Sequence, residues 1–187
     1  MSNAHRTLLT RLQRRQKSHD EKSHQDILAE NMYVRLKHMA LHFYKYSLKA
    51  YDAKNSLDAT TLKATLIDSI IICLASANSL KIYLDDYLEV TAKDIPELCK
   101  KLSEDYNSKN SDCTFDGVFY SLLSWGGRMA KVMESTDHME AGNPRAEMSK
   151  LIPALTIDLL KYVHPLDINL EKCIETRFEQ IESSFTL

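Results

Sequence analysis

The chain has 187 residues, of which 44% are hydrophobic and 27% are charged, and its formal net charge is −2. A chain of this length buries about 70% of the surface that it exposes when unfolded, which excludes the need for a metal or disulfide staple. Only four Gly and four Pro occur, well below the average usage of roughly 7% and 5%. This composition predicts an all-α fold.

The cysteines and the apolar runs indicate a cellular location. Cys73, Cys99, Cys113 and Cys173 have neither Cys-x-x-Cys spacing nor a pairing pattern, which is typical of reduced intracellular thiols. The longest apolar run, at 70–77, is shorter than the ~20 residues of a bilayer span, and no apolar signal-peptide stretch follows the basic start. We therefore expect a cytoplasmic location and no membrane partner.

The start of the chain differs in charge from the rest. Residues 1–25 hold six basic and two acidic side chains, whereas residues 26–187 hold 18 and 24. We interpret the first segment as a basic N-terminal arm and the second as an all-α domain. Such an arm can bind nucleic acid through counterion release. The alternative is a loosely docked helix with Leu8, Leu9 and Leu12 as its apolar stripe.

Apolar residues at three- and four-residue steps predict the helices of the first half. One long helix is expected from Asp26 to about Asp52, and a second from about Leu57 to Ser79, with Asn55 and Ser56 as its cap. A third helix is expected to start near Leu84.

The second half begins after a polar region. Pro96 predicts a short helix that ends near Asn107, and the turn-forming run 107–112 is a candidate linker. The later expected helices are 115–136, which includes Gly126 and Gly127 as a packing or kink position; 144–164, which starts at the Asn143-Pro144 signal and includes Pro153; and a last helix capped by Asp167 or Asn169.

A shift of 86 residues aligns the two halves without a gap. It superimposes Lys45 on Lys131, Leu80 on Leu166, Ile82 on Ile168, Leu84 on Leu170 and Glu89 on Glu175. The pattern predicts two tandem repeats, at about 26–106 and 113–187, that pack as an intramolecular pseudo-dimer. Two ordinary helical hairpins with similar periodicity are the alternative.

The segment Asp68 to Asp86, DSIIICLASANSLKIYLDD, resembles a known family signature. It is similar to the third helix of the MazG-type nucleotide pyrophosphohydrolases, the all-α family that includes the dimeric dUTPases. In that family an Asp opens an apolar helix that ends in Ala-Asn-x-Leu. Residues 38–50 and 168–184 resemble the preceding and closing helices of the same family.

The resemblance implies four carboxylates around Mg²⁺, which activates a water for α–β bond cleavage. Three of those four positions lack an acid here, and only Asp68 matches. The second copy has no acid at its four equivalent positions. The family positions read Tyr46, Lys49, Thr65 and Asp68 in the first copy, and Val132, Ser135, Leu151 and Ala154 in the second.

The candidate site residues follow from this comparison. Small register changes could add Glu134, Glu147 or Asp158 to Asp68 as metal ligands. Lys49 could meet a phosphate directly. The resemblance makes Lys45, Lys49 and Arg177 the candidate nucleotide-binding residues.

The sequence offers one further metal-binding pattern, the pair His38 and His42 at i, i+4 spacing. No acid lies between them, and Lys37 and Lys45 would repel a cation. We therefore expect this pair not to bind metal.

Three functions stay open. The first is a catalytically degenerate MazG-like protein with a structural, interaction or nucleotide-binding role. The second is an active nucleoside triphosphate pyrophosphohydrolase. The third is a nucleic-acid-associated helical protein that uses the basic arm. No cofactor is expected except Mg²⁺ in an active enzyme, and the expected partners are a nucleotide and a second copy of the chain.

Overall fold

The computed structural model describes residues 7–107 and 114–184, and within these ranges the chain forms eight α-helices and no strand. The predicted all-α helical bundle is therefore confirmed. The helices are α1 (Leu8–Ser23), α2 (Gln25–Ala29), α3 (Met32–Ser56), α4 (Ala59–Leu80), α5 (Ile95–Asn107), α6 (Thr114–Asp137), α7 (Pro144–Leu160) and α8 (Leu170–Ser184).

The four long helices α3, α4, α6 and α7 form the centre of the bundle. Helix α3 packs on α4 and α6, and α7 packs on the same two helices. The side chains at their shared centre are fully buried and include Phe43, Leu66, Leu74, Leu122 and Leu160. Helices α1 and α8 cover the outer side of α4.

Helix α4 is the most apolar element of the described residues. By length and composition it could cross a membrane, and 56% of its apolar window is buried inside the bundle. The core helix of a globular protein has the same properties, because it is surrounded by other helices. Its central position explains why this segment shows no polar face in the sequence.

Two helix starts differ from the sequence prediction. The long helix expected from Asp26 is broken after α2, and α3 begins where Asn31 Oδ1 accepts a hydrogen bond from Val34 N at 3.0 Å. Helix α4 is capped by Asp58, which accepts from Thr60 N and Thr61 N. The predicted cap was wrong because Ser56 Oγ donates back to the Asp52 carbonyl within α3.

The third helix expected near Leu84 is only a single 3-10 turn, Leu84–Tyr87. Its buried Asp85 instead caps another helix. The carboxylate accepts from Leu9 N at 3.0 Å and from Thr10 N at 2.7 Å, at the start of α1. An acid suits that place because unpaired N–H groups give the start of a helix a positive end. Asp85 thus caps α1, and the predicted third helix was wrong.

The second half follows its local signals more closely. Asn143 Oδ1 accepts from Ala146 N, with Pro144 in the first turn of α7, and Asn169 Oδ1 accepts from Lys172 N at the start of α8. Helix α7 ends at Leu160, four residues before the predicted end, and is followed by turns. Most of the predicted linker lies outside the described residues.

Helix α6 contains a close approach, but not at the predicted glycines. A Cβ at Gly126 would meet Phe43 Cβ at 3.6 Å, an ordinary contact, whereas a Cβ at Gly117 would lie 2.4 Å from the Tyr162 ring. Of these two glycines, only Gly117 therefore lies so close to a neighbour that an added Cβ would force the Tyr162 ring to shift.

The end of α4 and the turn after α7 share one backbone geometry. Lys81 and Asp167, which are 86 residues apart, both have left-handed φ values, 59° and 50°. Ile82 N donates to the Ala77 carbonyl and Ile168 N to the Val163 carbonyl, each at 3.1 Å. The chains then diverge, into the 3-10 turn in one half and α8 in the other. The tandem duplication stays a prediction that this shared turn supports.

Candidate functional site

Helix α1 is attached to α8 by a ladder of ion pairs. Arg11 pairs with Glu171, Arg15 pairs with Glu175 and Glu182, and Lys22 also reaches Glu182. Successive basic residues of α1 pair with successive acidic residues of α8, so the two helices run parallel. Three of the basic side chains on which the nucleic-acid hypothesis rests therefore pair with carboxylates of α8.

Polar contacts also attach α1 to the end of α4. Gln13 Nε2 donates to the Ile82 carbonyl at 2.9 Å, and Gln13 Oε1 accepts from Leu84 N. Asn78, part of the family-like Ala-Asn-x-Leu sequence, donates to the Gln13 carbonyl at 2.8 Å. The described part of the basic arm is therefore a packed helix of the bundle, with Leu9 and Leu12 buried.

Where α1 and α8 cover α4, a cavity of about 250 Å³ is enclosed together with α2 and α3. Its apolar wall comes from residues such as Ile27, Met39, Ile71 and Ile181. Three of the six predicted site residues, Lys45, Asp68 and Arg177, lie on its polar side. We call this space the α1–α8 cavity.

Asp68 is not available as a free carboxylate in this cavity. Arg177 donates to it through Nε at 2.8 Å and through Nη2 at 3.3 Å. A guanidinium that meets both carboxylate oxygens compensates the charge that a metal ion would otherwise compensate. The Asp68 side chain is only 15% exposed, so this pairing is sheltered from water.

Lys45 and Lys49 contact the same tyrosine at the cavity edge. Their Nζ atoms lie 4.7 Å and 5.7 Å from the Tyr46 ring centroid. Burial, followed by the neighbouring Lys49, lowers the pKa of Lys45. Burial and the nearby Asp68 raise the pKa of the Tyr46 phenol, so its hydroxyl group stays protonated. The cavity edge is therefore crowded with positive charge.

The predicted histidine pair forms a hydrogen-bonded chain with Lys45. Lys45 Nζ lies 3.0 Å from His42 Nδ1, and His42 Nε2 lies 3.0 Å from His38 Nε2. Because an ammonium group can only donate, His42 Nδ1 accepts, and His42 Nε2 then donates to His38. Burial and Lys45 lower the pKa of His42 to about 4, so its ring is neutral at pH 7. Both nitrogens of His42 are thus engaged.

Arg35 was not predicted as a site residue, although it lines the cavity. Its Nε atom is buried and has no hydrogen-bond partner among the described residues. The charged lining consists of Arg35, Lys45 and Arg177 against two carboxylates, Asp20 and Asp68. Arg177 and Asp68 neutralise each other. Arg35 and Lys45 then face the single carboxylate of Asp20, so the net charge of the lining is positive.

The other two predicted metal ligands do not line the α1–α8 cavity. Glu134 pairs with Lys131 and His138 on the surface of α6, and Glu147 pairs with Lys150 on α7. Asp158 accepts from the Trp125 indole and pairs with Lys161. The second-copy acids therefore do not join Asp68 in this cavity.

Residues of α1 and α2 complete the cavity, and sequence patterns alone did not find them. His19, Asp20 and His24 come from the first 25 residues, while Arg177 follows about 150 residues later. The sequence held one clue, a His-Asp pair followed by a third potential ligand four residues on. The pattern was missed because the segment was interpreted by its basic charge alone.

No family model matches the chain, and neither a curated protein nor a solved structure matches it. The class that the fold defines is a helical bundle with a positively lined cavity. The MazG resemblance stays a prediction from its motif.

Proposed function

We propose that the chain is a MazG-like protein without metal-dependent hydrolase activity, which binds a small phosphorylated ligand, such as a nucleoside monophosphate, in the α1–α8 cavity. The observation that carries the proposal is the buried, unpartnered Nε of Arg35 in a cavity with excess positive charge. A buried donor without a partner costs about 1–3 kcal/mol. A bound phosphate oxygen would remove that cost.

The cavity size and walls favour a small ligand with an apolar part. A volume of about 250 Å³ lies just below the usual range of ligand pockets. Phosphate would contact the cationic side, and a base or another flat apolar group would contact the wall of Ile27, Met39 and Ile71. Arg is suited to phosphate because its planar donors match two oxygens at once.

The same contacts argue against hydrolysis. Mg²⁺ requires several oxygen ligands in near-octahedral geometry. Asp68 is occupied by Arg177, and Lys49 stands where the resemblance would require a glutamate. At ~5 Å, an ammonium opposes a divalent cation by several kcal/mol at an effective dielectric near 20.

Calorimetric titration in the presence of a chelator tests the proposal. Inorganic phosphate and a panel of nucleoside monophosphates serve as ligands, and binding is expected without any metal. Arg35→Gln and Lys45→Gln should weaken it roughly tenfold or more, because each removes a charged hydrogen bond of about 1.5–3 kcal/mol. Lys131→Gln, on the surface of α6, is the matched control and should bind as the unmodified chain does.

A parallel assay separates this function from the enzymatic alternative. Pyrophosphate release from nucleoside triphosphates is measured with Mg²⁺ and Mn²⁺, and no turnover above background is expected. Turnover that disappears in Asp68→Ala would establish the hydrolase instead. Equal phosphate affinity in Arg35→Gln and in the control would remove the cavity as the binding site.

A further inference from the structure

We propose that His19, Asp20 and His24 form a binding site for a divalent transition-metal ion, at the part of the α1–α8 cavity that α1 and α2 contribute. One ligand atom from each of the three side chains lies within 4.8 Å of the others. Two imidazoles and a carboxylate, with no thiolate, suit Zn²⁺, Co²⁺ or Ni²⁺ better than Mg²⁺ or Ca²⁺.

The break between α1 and α2 brings the three side chains together. His24 ends α1, and its N–H still donates to the Asp20 carbonyl at 2.9 Å, while its φ and ψ of −136° and 42° leave the helical range. The ring therefore folds back toward His19, with the two ring centroids 5.4 Å apart. Three residues of one short segment can thus serve as ligands of one ion.

The surroundings of His19 are those of a metal-binding imidazole. Its ring is 1% exposed and stacks on Phe178 at 4.2 Å, which fixes its plane. Its Nδ1 lies 3.0 Å from Glu182 Oε1. A carboxylate that accepts a hydrogen bond from Nδ1–H keeps the proton on Nδ1. The Nε2 lone pair is then left for a metal, which is the usual arrangement around metal-bound histidines.

Asp20 is oriented in the same way by a second buried side chain. Gln16 Nε2 donates to Asp20 Oδ1 at 2.7 Å. Gln16 Oε1 is itself buried and has no hydrogen-bond partner among the described residues, and Gln16 lines the cavity. An acceptor oxygen in this position would be satisfied by the ion or by a water bound to it.

The two cations that pair with Glu182 beside His19 are compensated, unlike Lys45 beside His42. Arg15 and Lys22 both pair with Glu182, so their charge is compensated beside His19. His42, in contrast, has both ring nitrogens engaged, by Lys45 and His38. We therefore place the metal at His19 and His24 and not at the i, i+4 pair of His38 and His42.

The spacing of the three side chains is compatible with a single ion. Ligand atoms about 2.1 Å from a tetrahedral Zn²⁺ lie roughly 3.4 Å apart, and the three candidate ligand atoms lie within 4.8 Å of one another. Three protein ligands leave a coordination position that faces the cavity, where a water or an anion can bind.

Zinc titration of the full chain, after chelator treatment and in a buffer without phosphate, tests the inference. One Zn²⁺ per chain is expected by calorimetry, and Co²⁺ should give the visible absorption bands of a low-coordinate site. His24→Gln and Asp20→Asn should each weaken binding by more than tenfold. Glu182→Gln, which removes a positioning charge, should weaken it by roughly 10–100-fold while the Co²⁺ bands persist at saturation.

His138→Gln, an exposed histidine on α6, is the matched control and should bind as the unmodified chain does. Circular dichroism of each variant confirms that it is folded, and Asp20→Asn keeps the test valid if a histidine variant is not. Absence of binding, unchanged affinity in both ligand variants, or an equal loss in His38→Gln would overturn the site. These titrations contain no phosphate and the phosphate titrations contain no metal, so the two proposals fail separately.

Discussion

Arg177 on α8 holds the carboxylate of Asp68 on α4 through two hydrogen bonds, 109 residues apart in the chain. The carboxylate is largely shielded from solvent, whereas the guanidinium is 42% exposed. The contact joins the covering helix to the core helix and removes the one acid that the MazG resemblance would assign to Mg²⁺.

We expect Arg177→Gln to destabilise the fold by about 1–3 kcal/mol, because Asp68 would remain sheltered without a charged partner. Urea unfolding measures the change. Asp68→Asn combined with Arg177→Gln should recover part of the loss, since no charge is then left unpaired.

Arg11→Gln is the control for that experiment. Arg11 pairs with Glu171 at the same helix interface, but its side chain is 66% exposed, and exposed pairs contribute about 0–1 kcal/mol. If Arg177→Gln costs no more than Arg11→Gln, the Asp68 contact is only a surface ion pair.

Tyr162 lies where a side chain at position 117 of α6 would have to go. Gly117→Ala should destabilise the bundle by about 1–3 kcal/mol, because the added methyl group meets the ring at 2.4 Å. Gly126→Ala is the matched change in the same helix. It should be neutral or stabilising by up to about 1 kcal/mol, since alanine favours helix and the space is sufficient. Thermal unfolding of both variants gives the comparison, and the opposite ranking would mean that α6 packs in another register.

The extent of correct prediction from sequence depended on how local each signal was. Helix α6 and the Asn143-Pro144 start were predicted because periodicity and caps act within a few residues. The break before α3 was missed because the apolar pattern continues through it. The helix expected near Leu84 was wrong because nothing in the neighbourhood of Asp85 reveals that its partners are Leu9 and Thr10.

The cavity could be predicted only in part for the same reason. Lys45, Asp68 and Arg177 were found through the resemblance, whose motif covers α3, α4 and α8. His19 and His24 are brought to it by the packing of α1, which depends on ion pairs about 160 residues apart. No pattern within a short window records such a contact.

His42 makes the stability depend on pH in a defined window. Its pKa is about 4 in the folded chain, through burial and the charges of Lys45, His38 and His24, against about 6.5 when unfolded. Between these values the unfolded chain takes up a proton that the folded chain does not. The stability that neutral His42 contributes is therefore complete above pH 6.5 and is lost as the pH falls toward 4.

Urea unfolding between about pH 7 and 4.5 measures this slope, and His42→Gln should make it shallower. Glu182, whose pKa is lowered to about 2 by His19 and Arg15, loses its contribution only below its ordinary value of about 4.3, so it does not obscure the window. His164→Gln, at an exposed position, is the control and should leave the slope unchanged. An identical slope in both variants would show that His42 titrates normally.

Asp85 is expected to control whether α1 stays on the bundle. Its carboxylate accepts from Leu9 N, Thr10 N and Thr10 Oγ1, the last at 2.6 Å, and is 7% exposed. Asp85→Ala would leave buried donors at the first turn of α1 without partners, at about 1–3 kcal/mol. The lost contacts hold α1 and no other helix, so local release of α1 is expected before global unfolding, although Gln13 and the α8 ion pairs remain. Hydrogen exchange should therefore accelerate in α1 far more than in α4.

Asp86→Ala, at the exposed neighbouring position, is the matched control and should leave exchange in α1 unchanged. The release also has a functional readout, since α1 supplies His19 and Asp20 to the cavity. Asp85→Ala should then raise the apparent Kd for zinc by the reciprocal of the fraction of time that α1 is attached, although Asp85 is not one of the proposed ligands. Unchanged exchange in α1 of Asp85→Ala would mean that the ion-pair ladder alone holds the helix, and that the buried carboxylate is not its anchor.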